Sequence, residues 1–196
     1  MTPTALATID WAGRPVQIEH AWVGVHDRSA PLLVFLHEGL GSVSMWRDFP
    51  GRLCAVLGWR GLVYSRPGYG QSTPRAADEH WGPDFMHRQA DELLPALLAA
   101  LGVHGRYSLF GHSDGGSIAL LHAAHFPNRV DHLVVLAPHI LVEPFSLSSI
   151  RQARDQYING DLHGRLARHH ADVDSAFYGW NDIWLAPAFL PWDLRP

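Results

Sequence analysis

The hydrophobic positions form short apolar runs that alternate with longer stretches of helical spacing. The first two runs alternate apolar with polar residues and flank a turn that contains Gly13, as expected for a half-buried hairpin. The later runs are apolar at nearly every position, which is typical of strands covered on both faces. Strands are therefore predicted at 8–11, 16–23, 32–36, 61–64, 107–110 and 130–137. Their alternation with helical stretches predicts an α/β fold around a mainly parallel, doubly wound sheet.

Three of the intervening stretches have helical spacing. The first ends at Gly58 and is predicted to bury one apolar face, made of Trp46, Phe49, Leu53, Val56 and Leu57. The second, 84–101, contains Pro95, at which we expect a kink. The third, 111–125, begins where a strand has just ended, so the chain must turn sharply there.

The pattern changes after Pro144. Two short helices rich in arginine and histidine are predicted at 146–157 and 162–170, and the aromatic, proline-studded end contains no predicted strand. We therefore divide the chain into an N-terminal core, residues 1–143, and a helical cap region, residues 144–196, that leads toward a further core segment.

Composition narrows the function classes. The 196 residues are 47% hydrophobic and 17% charged with a net charge of −4, which suits one folded domain rather than a disordered chain. All 15 basic residues are arginines, so Schiff-base, pyridoxal-phosphate and serine–lysine chemistry and a lysine-bearing phosphate loop are excluded. Cys54 is the single cysteine, which excludes an internal disulfide and a thiolate zinc cluster, and we expect it to be buried on the apolar side of its helix.

Charge and hydropathy also bear on partners and location. The slight acidity without a basic stripe predicts no nucleic-acid partner, and the apolar runs are too short for a membrane span, so no membrane association is expected. Residues 1–18 lack the basic start, apolar block and cleavage site of a targeting segment. With one cysteine in the chain, a cytoplasmic location is expected.

The segment 111–116, Gly-His-Ser-Asp-Gly-Gly, carries the clearest chemistry. Because it lies between a predicted strand and a predicted helix, Ser113 would sit on a strained turn with its hydroxyl pushed outward and small neighbours around it. The helix N-terminus would present free N–H groups and its positive dipole end to the same point. These features predict a nucleophilic serine beside an oxyanion site.

Three segments together resemble the α/β-hydrolase fold superfamily, in the branch of small serine hydrolases that contains carboxylesterases and lactonases. They are 36–42 (Leu-His-Glu-Gly-Leu-Gly-Ser), 65–72 (Ser-Arg-Pro-Gly-Tyr-Gly-Gln-Ser) and 110–116 (Phe-Gly-His-Ser-Asp-Gly-Gly). The resemblance implies a sheet of the α/β-hydrolase type with a helical cap. It also implies that Ser113 is the nucleophile and that the N–H groups of Leu40 and Asp114 hold the oxyanion.

Three further residues are expected to contact the substrate. Gly39 lies in the first of the resembling segments, although Glu38 precedes it where many relatives have histidine. His139 follows the strand 130–137 and is expected to line the mouth of the site, because the carboxyl ends of the strands face it. Trp184 belongs to an aromatic cluster in the cap region, which would favour an apolar or aromatic acyl or leaving group.

A serine nucleophile needs a base, and the base is held by a carboxylate. In the family the chain order is serine, acid, histidine, and the acid and the histidine follow strands that come after the cap. We therefore expect these C-terminal strands, the acid and the histidine to be absent from the 196 residues. The alternative is a triad built within the chain from Glu143 and a nearby histidine, the candidates being His139, His163, His169 and His170.

Two further interpretations concern single groups of residues. The Asp114 carboxylate would either recognise a substrate amine, as in some relatives with this elbow, or simply favour the helix N-terminus. His122 and His125 are three apart on one predicted helix, and His169 and His170 precede two aspartates. The first pair lacks the glutamate and the spacing of a zinc-protease helix, so no metal and no other cofactor is expected.

The predicted function is a serine hydrolase that acts on a small-molecule acyl substrate, an ester, thioester or lactone, through an acyl-enzyme on Ser113. The alternative is an inactive or binding-only fragment that lacks the triad acid and histidine. This alternative depends on the run 133–137, which is expected to lie in the sheet interior. Without a later strand to pair with it, its edge would be exposed and would favour self-association.

Overall fold

One six-stranded sheet forms the centre of the computed structural model, which describes residues 3–76 and 78–195. The strands are Ala5–Trp11 (β1), Arg14–Gly24 (β2), Leu32–Leu36 (β3), Arg60–Tyr64 (β4), Tyr107–His112 (β5) and Val130–Leu136 (β6). They lie in the order β1-β2-β4-β3-β5-β6. The β1–β2 and β2–β4 pairs are antiparallel, and the remaining pairs are parallel. The predicted N-terminal hairpin and the mainly parallel sheet are confirmed.

Seven helices accompany the sheet within the described residues. They are Phe49–Leu57 (α1), Phe85–Arg88 (α2), Leu94–Ala100 (α3), Asp114–His125 (α4), Pro144–Asn159 (α5), Leu162–Leu166 (α6) and Val173–Leu185 (α7). A π-helical turn, Gln89–Leu93, joins α2 to α3 just before Pro95, so the helix is irregular where the kink was predicted. No helix in the part of the chain that the structure describes combines the length and the apolar character needed to cross a membrane.

Helices cover both faces of the sheet. Val34 of β3 packs in one core with Leu97 of α3 and Ile118 of α4. The next residue, Phe35, points to the other face and packs with Cys54 of α1. All five residues of β3 are buried, as predicted for a strand covered on both faces. Cys54 is buried as predicted, and burial raises the pKa of its thiol to about 11.

The predicted apolar face of α1 is only partly right: Trp46 and Leu53 pack against the core on this side of the sheet, but the other three residues are not buried. Val56 is 86% exposed, and Phe49 and Leu57 are also exposed. The buried residues of the helix are Pro50 and Cys54. Val56 and Leu57, which end the helix, are left at the surface.

The predicted burial of the last strand on both faces is wrong. β6 lies at the edge of the sheet, paired with β5 alone among the described strands. Val134 is 45% and Leu136 48% exposed, and they share one face of β6, while Leu133 and Val135 on the opposite face pack against the core. The exposed edge that the binding-only hypothesis anticipated is therefore present.

The segment after residue 143 is more helical than predicted. α6 ends at Leu166 rather than at 170, and α7 was not predicted. Asp172 begins α7 by accepting the Ser175 N–H at 2.8 Å, which is a standard N-cap. Tyr157, Leu166 and Phe177 form a small apolar cluster that Leu40 also contacts. The division into a core and a cap region at residue 143 stays a prediction.

Candidate active site

Ser113 lies at a sharp turn between β5 and α4. Its backbone has φ +53° and ψ −122°, and a positive φ is uncommon for a residue with a Cβ atom. The turn requires close approach of three elements. A Cβ atom at Gly111 would lie 2.4 Å from the Gly115 carbonyl oxygen, and one at Gly115 would lie 2.2 Å from the Leu36 carbonyl oxygen. The predicted strand–turn–helix geometry around the serine is present.

The Ser113 hydroxyl is hydrogen-bonded to His139, with 3.2 Å between Oγ and Nε2. Ser117, one turn further along α4, holds the main chain of His139: its Oγ accepts the His139 N–H at 3.0 Å and donates to the His139 carbonyl. Ala137, with φ +44°, lies at the bend between β6 and this histidine. The imidazole packs edge-on against Trp184 at 4.7 Å. His139 thus lines the site, as predicted, and also contacts the nucleophile.

The other residues considered as an acid or base within the chain do not contact Ser113. Glu143 is exposed at the N-cap of α5, and among the described residues no carboxylate is hydrogen-bonded to the imidazole of His139. His163 is exposed, and His169 is hydrogen-bonded to Ser44 instead, with 2.8 Å between Nδ1 and Oγ. His139 is therefore the histidine of the described chain that reaches the nucleophile, and it does so without a carboxylate partner.

Asp114 is buried beneath the nucleophile. Its carboxylate accepts the indole N–H of Trp184 at 3.4 Å. Burial raises the pKa of Asp114, while the positive charge of Arg66 and the hydrogen bond from Trp184 act in the opposite direction. Arg66 is itself buried, with its guanidinium 4.9 Å from the ring of Tyr69. A buried arginine and a buried carboxyl group therefore lie near each other under the elbow.

The loop at residues 37–42 brings a main-chain donor to the same place. The Leu40 N–H has no hydrogen-bond acceptor among the described residues, and Leu40 lines one cavity together with Ser113 and Asp114. Asp114 is the first residue of α4, where N–H groups have no acceptor within the helix. Gly39 is packed against α7, since a Cβ atom there would lie 2.2 Å from Nε1 of Trp180.

The cavity beside Ser113 has a volume of about 420 Å³ and is lined by all six predicted site residues, Gly39, Leu40, Ser113, Asp114, His139 and Trp184. Sequence reasoning missed Ser146, Ser149 and Ile150 of α5, which also line the cavity. It named Phe145 and Trp180 as members of the aromatic cluster but did not select them as site residues. The α5 residues, and Trp180 with Trp184 in α7, are spaced by three or four positions, so each group lies on one face of its helix. This spacing can be recognised only once the helices are known.

Charged groups are few on the cavity wall. Oε2 of Glu38 and Nδ1 of His112 lie 3.8 Å apart at the rim. No arginine is among the described residues that line the cavity.

The histidine pairs considered for a metal are engaged elsewhere. His122 is buried, with Nε2 2.6 Å from the hydroxyl oxygen of Tyr107 and Nδ1 2.7 Å from the carbonyl oxygen of Ala90. His125 lies against Asp91, with 2.5 Å between Nδ1 and Oδ1. Within residues 3–76 and 78–195, no group of three histidine, cysteine, aspartate or glutamate side chains converges as a metal site requires.

The chain is similar in sequence to one protein family and to curated proteins of known name. A family model described as alpha/beta hydrolase fold matches residues 31–179. The chain is 37% identical over 132 residues to the 2-succinyl-6-hydroxy-2,4-cyclohexadiene-1-carboxylate synthase of Yersinia pestis, which covers 67% of this chain and 44% of that protein. It is 34% identical over 97 residues to the Serratia proteamaculans protein of the same name, with 48% and 33% covered. The chain thus spans less than half the length of these curated relatives.

A solved structure shares the fold. It is reported among the carboxylesterases of the thaumarchaeon Nitrososphaera gargenis and has a TM-score of 0.70 at 20% identity. The similarity covers 94% of this chain and 72% of that chain. At this level of identity the likeness concerns the fold alone.

Proposed function

The chain belongs to the alpha/beta hydrolase fold family, and from this premise we propose that it is a serine hydrolase in which Ser113 attacks a small ester, thioester or lactone. One observation carries the proposal: Ser113 occupies a positive-φ turn at the start of α4 with its Oγ 3.2 Å from Nε2 of His139. A serine on an elbow with an imidazole in hydrogen-bond reach is the arrangement that activates a hydroxyl as a nucleophile.

In this mechanism His139 is the base. Its Nε2 must be unprotonated to accept the Ser113 proton, so its own proton resides on Nδ1. Oγ bonds to the carbonyl carbon, and the carbonyl oxygen becomes an oxyanion that the N–H groups of Leu40 and Asp114 hold. When the intermediate collapses, the bond to the leaving group breaks and His139 returns the proton to the departing alkoxide or thiolate. Water then gives a proton to the same base as its oxygen bonds to the acyl carbon; the bond from that carbon to Oγ breaks, the carboxylic acid leaves, and His139 returns the proton to Oγ.

The cavity supports a neutral, largely apolar substrate. Ile150, Trp180 and Trp184 supply apolar wall, and the lining residues that can carry positive charge are histidines, His112 and His139. The curated relatives in Yersinia pestis and Serratia proteamaculans are named for a succinyl- and carboxylate-bearing product. Because a carboxylate buried in a cavity needs a cationic partner, we do not extend that product to this chain.

A binding-only protein is the second candidate. The observation that favours it is that no carboxylate within residues 3–76 and 78–195 is hydrogen-bonded to His139, since a base without an orienting acid activates serine less well. In that case the same cavity would bind an acyl compound without cleaving it.

Turnover of two matched substrates tests the proposal. We expect the chain to hydrolyse p-nitrophenyl butyrate, and to prefer it over the anionic p-nitrophenyl hemisuccinate by about tenfold or more in kcat/KM. Ser113→Ala should reduce turnover to the uncatalysed rate. Ser149→Ala should not, because Ser149 lines the same cavity but donates to the Phe145 carbonyl in its own helix. Binding of the butyrate ester to both the wild type and Ser113→Ala, with turnover by neither, would instead establish the binding-only candidate.

A further inference from the structure

Two buried histidines bridge the loop at 37–42 and the loop at 65–72. The first is His37, which is 0% exposed. Its Nε2 accepts the Arg66 N–H at 3.0 Å, and its Nδ1 donates to the Glu38 carbonyl at 2.7 Å. Because one ring nitrogen accepts and the other donates, this imidazole must be neutral with its proton on Nδ1.

His170 forms the same bridge from the segment between α6 and α7. Its Nδ1 accepts the Gly70 N–H at 2.9 Å, and its Nε2 donates to the Leu40 carbonyl at 3.0 Å. It is 5% exposed, and the next residue, Ala171, donates its N–H to the Gly70 carbonyl at 2.8 Å. This imidazole must also be neutral, here with its proton on Nε2.

The two bonded carbonyls lie on either side of one peptide group. The Glu38 carbonyl belongs to the peptide before Gly39, and the Leu40 carbonyl belongs to the peptide after Leu40. The peptide between them, Gly39–Leu40, carries the N–H that the proposed function assigns to the oxyanion. Since each peptide group is planar, fixing its two neighbours restricts the orientation of that N–H. The Gly41 N–H closes the turn on the Glu38 carbonyl at 3.0 Å.

We propose that His37 and His170 are positioning residues that hold the Gly39–Leu40 peptide in place for the oxyanion, and that His170 makes this alignment depend on the segment between α6 and α7. The inference rests on the proposed function for the role of the Leu40 N–H. The bridge itself stands on its hydrogen bonds.

The surroundings keep both imidazoles neutral. Burial lowers the pKa of His37 well below its usual value, and the charge of Arg66 and the neighbouring His170 act in the same direction. Burial also lowers the pKa of His170 to about 4, with a further contribution from His169. Tyr69 faces both rings, at 5.1 Å and 6.1 Å between ring centres. The Glu19 carboxylate lies behind the second loop, where it accepts the Gln71 N–H at 3.0 Å.

Nuclear magnetic resonance tests the bridge without any need for activity. In ¹⁵N spectra between pH 5 and 8, we expect His170 to remain neutral with its proton on Nε2. His170→Ala should speed amide exchange at Gly70 and Gly41 and shift the Leu40 amide signal. His170→Asn places an acceptor near the Gly70 N–H but cannot reach the Leu40 carbonyl, so it should restore protection at Gly70 alone. His163→Ala, an exposed histidine of α6, is the matched control.

Covalent labelling of Ser113 tests whether the bridge affects the reactivity of the nucleophile. His170→Ala should lower the second-order rate of fluorophosphonate labelling about 10- to 100-fold, less than the roughly 10²- to 10³-fold loss that follows removal of an oxyanion donor, while His163→Ala labels as the wild type does. If His170→Ala leaves the Gly41 amide exchange and the Leu40 amide signal unchanged, the bridge is overturned. If the wild type labels and His170→Ala labels at the same rate, the role of the bridge in placing the oxyanion donor is overturned. If the wild type does not label at all, the proposed function fails, and the amide measurements still decide whether the bridge positions the loop.

Discussion

The cavity has two sides that are built in different ways. On one side are the elbow and the two loops, where Ser113, Asp114 and the bridging histidines lie among buried residues and fixed main-chain hydrogen bonds. On the other side is the end of β6, where Val134 and Leu136 are exposed. His139 reaches Ser113 from this open side through side-chain contacts.

This difference predicts which kind of substitution each side of the cavity tolerates least. The nucleophile is placed by backbone segments in direct contact, so added atoms should damage it more than lost ones. The base is placed by the Ser117 hydroxyl and by packing against Trp184, so a single side chain can be removed there without disturbing the sheet.

The largest effect is expected at Gly115. A methyl group there would lie 2.2 Å from the Leu36 carbonyl oxygen, and backbone cannot yield as a flexible side chain does. We expect Gly115→Ala to cost about 4 kcal/mol or more of unfolding free energy and to lower the melting temperature by roughly 10 °C. Thermal unfolding followed by circular dichroism measures it. Gly51→Ala in α1, where a Cβ atom meets nothing within 4 Å, should instead stabilise the protein by about 0.5–1 kcal/mol.

The second effect concerns the base on the open side. His139→Ala should slow acylation of Ser113 by about 10²- to 10⁴-fold, the usual contribution of general base catalysis, and leave the melting temperature close to that of the wild type. His112→Ala is the matched control, because His112 lines the same cavity without bonding to Ser113. Stopped-flow labelling with a fluorophosphonate gives both rates. Equal rates in wild type and His139→Ala would remove His139 from the mechanism.

The third effect is the pH dependence of the buried side. His170 has a pKa of about 4 in the fold against 6.5 when unfolded, so between these values the unfolded chain binds more protons. Unfolding free energy should therefore fall as pH falls from 6.5 toward 4. Between pH 7 and pH 5 the wild type should lose about 2 kcal/mol more than His170→Asn, as measured by urea unfolding. Asp114 contributes a pH dependence of the unfolding free energy with the opposite sign, because burial raises its pKa. This contribution is present in both proteins, so it cancels in the comparison. Parallel curves for the two proteins would contradict the prediction.

The smallest effect is expected at the edge of the sheet. Val134→Arg should change the unfolding free energy by less than about 0.5 kcal/mol, as is usual for exposed positions. If copies of the chain pair along β6, as the sequence analysis expected, this charge should also reduce the associated fraction in sedimentation velocity. An associated fraction equal to that of the wild type would show that the edge does not pair copies.

The sequence predicted the buried side far better than the open one. The turn around Ser113 was predictable because a strand, a glycine-rich turn and a helix start are local patterns. The hairpin and β3 were predictable for the same reason. Leu40 and Asp114 were proposed as oxyanion donors only through the resemblance to the family, and that role stays a prediction. The bond between Ser113 and His139 joins residues 26 positions apart, and no local pattern encodes it.

The errors have a common physical origin. Val56 and Leu57 of α1 and the residues of β6 are apolar but exposed, so hydrophobicity alone did not indicate burial. α7 was missed because its aromatic residues were interpreted only as a cluster facing the substrate, although Trp180 and Trp184 lie on one face of a helix. His37 and His170 were not linked, since their bridge joins loops that are distant in the chain.

The central claim is that Ser113 of this chain is a reactive nucleophile, and mapping the site of a fluorophosphonate adduct by peptide mass spectrometry tests it most directly. The account predicts an adduct on the Ser113 peptide of the wild type, none in Ser113→Ala, and slow formation in His139→Ala. An adduct confined to another serine, or folded wild-type protein that stays unlabelled at Ser113 after prolonged exposure, would contradict it.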